Sequence, residues 1–334
     1  MKYILLGTGN IANTYVRAME ALPGSELVGC VSRSGRRVQA DPALPCWTEL
    51  DAVSAPFDAV IVATPNGLHG EGIVAAARLG KHVLVEKPLG ITVADMDRAL
   101  AACEAAGVTL AVAYQRRTAP DNQSIKALLE KGALGRVFAA DLSAKFYRDQ
   151  AYYDSGDYRG GYLLDGGGPF MQQACHNIDL YLWFFGMPAQ IVSMMGTFTH
   201  SIEVEDHGAA LLRYPNGMIG TIIASTSTKP GFAARLEVHS DKGSFVMTDD
   251  AITQWHFTDV PNPARSDFHY THDGATSAAV TDTSAHQRIL RDFEHAAQTG
   301  SKPIADGHSA KATSELILNI YQATVDGGRL TVDG

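Results

Sequence analysis

The strongest constraint on this chain is an alternation that begins at its first residues. "YILL" (Tyr3 to Leu6) is a short apolar run, and "IANTYVRAMEAL" repeats apolar residues at helical spacing, at Ile11, Tyr15, Ala18, Met19 and Leu22. "ELVGCV", "DAVIVA", "HVLVE" and "TLAVAY" read as four further strands, with "HGEGIVAAARLG" and "TVADMDRALAACEAAG" as helices between the later ones. Several of these strands are continuous apolar runs, the pattern of a parallel sheet covered on both faces. Repeated strand-helix-strand units predict a doubly wound parallel sheet for residues 1–120.

The pattern then changes. "RVFAADLSAKFYR" reads as a long strand, followed by a Gly-rich loop and a helix from roughly Gly166 to Phe185. The runs "AQIVSMMGTFT", "HGAALLRYP", "GMIGTIIASTS", "AARLEVHSD" and "GSFVMTDD" follow with little helix between them, and "YPNG" and "SDKG" are hairpin turns. Helical stretches near Ala285 to Gln298 and Ala310 to Ala323 close the chain. Residues 121–334 are therefore expected to form an α+β domain with an open, largely antiparallel sheet, serving substrate binding and oligomerisation.

Length and composition agree with two soluble domains: 334 residues, 46% hydrophobic and 19% charged. The net charge is -9 and the densest basic cluster is the short "SRSGRR", which argues against nucleic acid and anionic membranes as partners. "MKYILLGTGN" is too short an apolar stretch for a signal peptide, and no window approaches the roughly 20 apolar residues of a membrane helix. Cys30, Cys46, Cys103 and Cys175 are scattered, as in a reduced cytoplasmic protein.

"LLGTGNIANTY" places Gly7-x-Gly9-x-x-Ala12 between the first strand and the first helix. The first glycine permits a tight turn, the second lets the backbone approach a pyrophosphate, and the third position must be small for helix-strand packing. The helix N-terminus offers N–H groups to phosphates, so Gly7, Thr8, Gly9, Asn10 and Ile11 are expected to line a dinucleotide. At the end of the second strand, where a carboxylate would hold a ribose 2′-hydroxyl, stand Ser32 and Arg33, with Arg36 and Arg37 behind them. Guanidinium groups there favour NADP(H), with NAD(H) as the alternative.

Two other strands of this sheet end in unusual polar sequences, "VATPNGLHG" and "VEKPLG". Together with the opening glycine motif and the later "DGGGPFMQQACHNIDL", they resemble the Gfo/Idh/MocA oxidoreductase family over essentially the whole chain. The resemblance implies a Rossmann domain followed by an α/β domain with an open sheet. It implies that Lys87 hydrogen-bonds the substrate oxygen beside the nicotinamide, with a cis peptide at Lys87–Pro88. Glu86 and Gln115 would lie near the nicotinamide, and Thr64, Pro65, Asn66 and His69 would line the dinucleotide. Residue types agree: a lysine can polarise an oxygen, and a histidine can exchange its proton near neutral pH.

His176 and Asp179 stand three apart, and Gln172 four before His176, which would put all three on one helical face. In the family His176 would be the acid/base, and Asp179 a substrate or orienting contact. Many members carry Asp where this chain has Gln172; a glutamine takes no proton, so Lys87 and His176 must carry the proton transfer. Members with "DGGG" and Asn or Gln here act on sugars or nucleotide-linked sugars. Arg148, Tyr152, Tyr153 and Arg159, in "FYRDQAYYDSGDYRGGYLLDGGG", could hydrogen-bond hydroxyls or an anionic group, or serve only as a structural loop. "HSIEVEDHG" is better read as a polar hairpin connection than as a metal site, and no metal is expected.

These readings predict an oxidoreductase, a dehydrogenase or reductase acting on CH–OH groups of a cyclic polyol, sugar or sugar derivative. Alternating apolar residues in the second sheet suggest a homodimer or homotetramer. Two rivals from the same family are a glycosidase that works by transient oxidation with the dinucleotide retained, and a cofactor-sensing regulator without catalysis. Basic residues after the second strand argue against the first, which typically favours NAD, and the presence of Lys87, His176 and Asp179 against the second. The stretch 261–285 is rich in His, Asp and Thr and suggests no role.

Overall fold

A computed structural model describes residues 1–265, 282–325 and 329–332. The chain forms two compact units, Met1–Gln115 with the described part of Ala279–Lys311, and Arg116–Ala278 with Ala312–Gly334, again where described.

The first unit is built on six strands, β1 (Lys2–Leu6), β2 (Glu26–Val31), β3 (Cys46–Trp47), β4 (Ala59–Val62), β5 (His82–Val85) and β6 (Leu110–Val112). Their order is β3-β2-β1-β4-β5-β6 and all neighbours run parallel, the doubly wound Rossmann arrangement expected from the alternation. Every residue of β4 is buried, as are Val83, Leu84 and Val85 of β5, which is why those strands read as unbroken apolar runs. Helices α1 (Asn10–Glu20), α2 (His69–Arg78) and α3 (Val93–Ala106) are the three predicted from helical spacing. Thr92 caps α3 by accepting the Asp95 N–H, and Gly107 ends it at φ 63°.

One boundary differs from the single cut expected at residue 120. Helix α7 (Ser284–Thr299) belongs to the first unit. Its Ile289, Leu290 and Phe293 are fully buried in the core that also holds Tyr3, Leu5 and Tyr15. Each such side chain contributes roughly 1.5–3 kcal/mol of burial, enough to decide where an amphipathic helix docks. The Tyr3 hydroxyl also donates to Glu294 Oε1 at 3.0 Å.

The second unit holds an eight-stranded sheet of β7 (Val137–Lys145), β8 (Gln190–Gly196), β9 (His207–Arg213), β10 (Ile219–Ser225), β11 (Arg235–Ser240), β12 (Gly243–Thr248), β13 (Ala251–Phe257) and β14 (Arg329–Thr331). The order is β13-β12-β11-β7-β10-β9-β8-β14, antiparallel except for β7 against β10. β13, β14 and α4 (Pro120–Glu130) lie outside the runs singled out from sequence. α5 (Gln150–Asp154) is short, and α6 (Cys175–Phe185) is apolar on nearly all sides. α6 docks on the sheet through Tyr181, whose hydroxyl donates to the Ala140 carbonyl at 3.0 Å. α8 (Gly307–Val325) closes the chain's helices. No helix of the described residues is long and apolar enough to cross a membrane. Most of the stretch 261–285 lies outside the described residues.

Candidate active site

The glycine loop has the geometry that a pyrophosphate requires. Gly7 sits at φ 108° and donates its N–H to the Val31 carbonyl at 3.0 Å, and a Cβ there would collide with the Ala63 carbonyl. A Cβ at Gly9 would meet nothing within 4 Å, so the backbone is open on that side. Gly9 is also the N-cap of α1 and supplies no side-chain cap, leaving the first N–H groups of the helix for an anion. Ala12 is fully buried against the sheet. The residues present therefore fit a dinucleotide.

After β2 the basic residues divide. Arg37 donates from Nη1 to the carbonyls of Pro42 (2.9 Å) and Leu44 (3.3 Å), so it braces its own loop where cofactor binding was expected of it. Arg36, exposed, reaches the Thr8 carbonyl in the glycine loop at 3.4 Å. Ser32 is half-buried with Oγ 3.2 Å from Ser34 Oγ, and Arg33 is exposed.

At the ends of β4 and β5, the motif residues split into those that are half-buried and those that are buried in the scaffold. Lys87, Thr64, Pro65, Asn66 and Gln115 are half-buried, and the Lys87–Pro88 peptide is cis. Glu86 turns inward: it is 8% exposed, accepts the Tyr15 hydroxyl at 2.7 Å, and accepts the Lys87 backbone N–H at 3.2 Å. Burial pushes its carboxyl up against the opposing pull of Tyr15 and Lys87. His69 is also a brace. It is 1% exposed, with Nδ1 2.7 Å from the Pro88 carbonyl and Nε2 3.0 Å from the Thr64 carbonyl. Burial lowers its pKa to about 4, so the ring is neutral and has one N–H to give. Both ring nitrogens face backbone carbonyls of the two strand ends and the single N–H serves one of them, so the dinucleotide contact expected of it is not in its geometry. Nothing in the motif signalled Tyr15, which the α1 periodicity marks only as a core residue.

The helix that carries His176 begins later than its sequence suggests. α6 starts at Cys175, and residues 166–174 are turns. Gln172 therefore shares no helical face with His176, and its Nε2 donates instead to the Asp165 carbonyl at 2.6 Å. The reason lies in the glycines: a Cβ at Gly168 would overlap the Glu205 carbonyl, so the chain passes there too closely for a helix with side chains. Glu205, 3% exposed, clamps this loop by accepting the N–H of Gly168 (3.0 Å) and Phe170 (3.4 Å), and the Tyr321 hydroxyl (2.8 Å). Burial raises its pKa to about 7.

His176 is half-buried, whereas Asp179, one turn on, is 1% exposed. Arg117, itself 2% exposed, donates from Nε to Asp179 Oδ2 at 2.8 Å and from Nη2 to Oδ1 at 2.6 Å, and Thr313 Oγ1 adds a third bond at 2.8 Å. Both carboxylate oxygens are engaged within the protein and the side chain is buried, which corrects its expected role as a substrate contact. No motif marks Arg117 or Thr313; the Arg116–Arg117 pair, one residue past the buried "AVAY" run, is the one sequence signal for the former.

The loop after β7 also divides. Tyr153 is core: it is 6% exposed, its hydroxyl pairs with Thr226 Oγ1 at 2.7 Å, and its ring lies 4.9 Å from His200, which removes it from the expected substrate contacts. Arg148 is 8% exposed and Arg159 half-buried, and both guanidiniums lie over the Tyr152 ring, at 5.6 and 4.3 Å from its centroid. "HSIEVEDHG" knits its hairpin through Asp206. That carboxylate accepts the N–H of Phe198 and Thr199 at 2.8 Å and faces His200 Nδ1 at 2.9 Å. Burial opposes its ionisation, but the converging donors bring its pKa down to about 2.

Comparison with known proteins matches both units. Residues 1–114 fit the model described as an oxidoreductase family with an NAD-binding Rossmann fold, and residues 122–246 fit the GFO/IDH/MocA C-terminal domain. The chain is 26% identical to a D-xylose 1-dehydrogenase (NADP(+)) of Haloferax volcanii over 100% of both chains. It is 27% identical to a 1,5-anhydro-D-fructose reductase of Ensifer adhaerens, over 97% of this chain and 96% of that one. The crystal structure of the WlbA dehydrogenase from Bordetella pertussis, in complex with NADH and UDP-GlcNAcA, superposes with a TM-score of 0.87 at 28% identity, covering 100% and 99% of the two chains. With the glycine loop, the EKP strand end and both domain models in agreement, the chain belongs to the Gfo/Idh/MocA family of NAD(P)-binding oxidoreductases.

Proposed function

We propose that this protein is an NADP(H)-dependent dehydrogenase or reductase acting on a CH–OH carbon of a sugar, a cyclic polyol or a derivative of one. The observation that carries the reading is the end of β5. Lys87 stands half-buried at the carboxyl end of a strand in a 3-2-1-4-5-6 sheet, where such folds take their ligands, between a braced Glu86 and an anchored Pro88. When bound, the nicotinamide supplies or accepts the hydride. Lys87 polarises the substrate oxygen, and His176 exchanges the proton on it. The relatives' names, a xylose dehydrogenase and an anhydrofructose reductase, support this substrate class.

The preference for NADP(H) rests on Ser32, Arg33 and Arg36, with no carboxylate at the end of β2 to repel a 2′-phosphate. Relatives include both NADP(+) and NAD(+) enzymes, so the residues carry this point. Absorbance of the reduced nicotinamide, followed across sugars, inositols and keto-sugars, tests both statements. Turnover with at least one panel member is expected, with kcat/KM about tenfold or more higher for NADPH than for NADH, the size of one charge-assisted contact. Equal use of NADH would remove Arg33 and Arg36 from cofactor choice.

The sheet face opposite α6 exposes Met194, Leu211, Val192 and Ile219. A second copy of the chain is the occupant we propose, because neighbouring strands extend one apolar surface too broad to leave in water. Light scattering is expected to give a dimer or tetramer mass, reduced by Met194→Glu; a monomeric wild type would count against it.

A further inference from the structure

We propose that Glu205 is a positioning residue of the reaction: its ionised carboxylate fixes the turn from which the His176 helix starts, and proton uptake by that carboxylate releases the turn and slows turnover. This rests on the reading above that His176 exchanges the proton.

A line of hydrogen bonds runs from Glu205 to the helix. Its Oε2 accepts the Gly168 N–H at 3.0 Å, and its Oε1 accepts the Phe170 N–H at 3.4 Å and the Tyr321 hydroxyl at 2.8 Å. The peptide that gives the Phe170 N–H to Glu205 has the Pro169 carbonyl at its other end, and that carbonyl accepts the Ala174 N–H at 2.8 Å. The Gly168 carbonyl accepts the N–H of Met171 and Gln172, at 3.1 and 2.9 Å. Ala174 is the N-cap of α6, and its carbonyl accepts the N–H of Asn177 and Ile178, both at 2.9 Å. His176 lies two residues on. Ala174 supplies no side-chain cap, so the first turn of α6 takes its position from this backbone relay. Hydrogen bonds in such a line polarise one another.

A buried carboxylate is a costly clamp if packing is all that is needed. Glu205 is 3% exposed and, among the described residues, forms no ion pair. Burial raises its pKa to about 7, against the opposing pull of Tyr321, Gly168 and Phe170. An uncharged side chain of the same size would avoid that desolvation. A glutamine, however, accepts at one terminal atom, and Glu205 accepts at two. A proton on either oxygen would set a donor among donors. The phenols around it do not compete for the charge. Tyr321 on α8, Tyr162 in the loop after α5 and Tyr153 on α5 have hydroxyl pKa values raised by burial and further by Glu205. Of the neighbouring carboxylates, Glu203 accepts the Tyr162 N–H at 3.0 Å, Asp165 accepts the Gly160 N–H at 2.9 Å, and Asp206 pairs with His200 Nδ1 at 2.9 Å. Glu205 therefore gives up its charge as pH falls through about 7.

The test is the pH dependence of kcat for the full chain, with NADP(H) and the best panel substrate. E205Q keeps the size of the side chain and removes its charge. At about pH 8 its kcat is expected about tenfold below wild type, the size of one hydrogen bond to a charged group, with KM and cofactor affinity nearly unchanged. The ratio of wild-type to E205Q kcat should fall toward one as pH drops below about 7, because wild type then loses the charge that the variant lacks. Dividing by E205Q cancels the titration of Lys87 and His176, and a packing role alone would give a ratio independent of pH. Y321F removes a donor that favours the charged carboxylate, so the acid limb of its kcat profile should lie about one pH unit above that of wild type. That shift carries the test if circular dichroism shows E205Q unfolded. Hydrogen exchange of residues 166–178 is expected about tenfold faster in E205Q than in wild type at the same pH. Unchanged exchange, an unchanged kcat or a ratio independent of pH overturns the proposal, while NADP(H)-linked turnover leaves the oxidoreductase reading standing. No turnover by wild type on any panel member sinks that reading and the role of Glu205 with it; faster exchange in E205Q would then mark a structural clamp only.

Discussion

Lys87→Ala is expected to lower kcat by roughly 10²–10⁴-fold, the usual contribution of a positioned proton-transfer group, with oxidised NADP still bound. The hydrogen bonds that hold Glu86 and Pro88 do not use the lysine's ammonium group. Glu86 is held by the Tyr15 hydroxyl and by the residue 87 backbone N–H, which alanine keeps, and Pro88 is anchored through its carbonyl by His69. The loss should therefore fall on the chemical step. Lys87→Arg is not expected to rescue it, because a planar fork cannot place a compact point charge on one oxygen. The measurement is kcat and KM with the best panel substrate, together with cofactor titration of the same variants. A kcat within tenfold of wild type would take Lys87 out of the chemistry and leave it a cofactor contact.

What could be read without coordinates follows the range of the interaction. The turn at Gly7, the open side at Gly9 and the packing of Ala12 are properties of six consecutive residues, and spacing announces them. Strands of the second sheet show themselves through alternation, as β9 does with buried Gly208, Ala210 and Leu212 on one face. Contacts across long stretches of chain leave no such mark. Asp179 meets Arg117 from 62 residues away and Thr313 from 134, and Gly168 meets Glu205 from 37. The same limit separates the two faces of a motif. "EKP" and "TPNGLH" identify which strand ends matter, but whether Glu86 and His69 turn to the ligand or back to the scaffold depends on burial, and both turn back. Gln172 shows a third case: helical spacing was extended through glycines whose purpose is close backbone approach to Glu205.

Asp179→Ala should cost about 3–5 kcal/mol of folding stability, because it strands a guanidinium that is 2% exposed. Arg117 would lose both hydrogen bonds to the carboxylate, and Thr313 its acceptor. Removing both charges should cost less than the single change, since no unpaired ion remains: Arg117→Met with Asp179→Leu is expected to recover a substantial part of the loss. Denaturant unfolding of wild type, both single variants and the double variant measures the coupling. Kinetics then separates this role from the substrate contact that the HxxD spacing suggests. A substrate contact predicts a raised KM at nearly unchanged stability. A buried brace predicts the reverse, lost stability first, with kcat falling as His176, one turn away on α6, loses its fixed position. An Asp179→Ala protein that unfolds like wild type while KM rises would return Asp179 to the substrate.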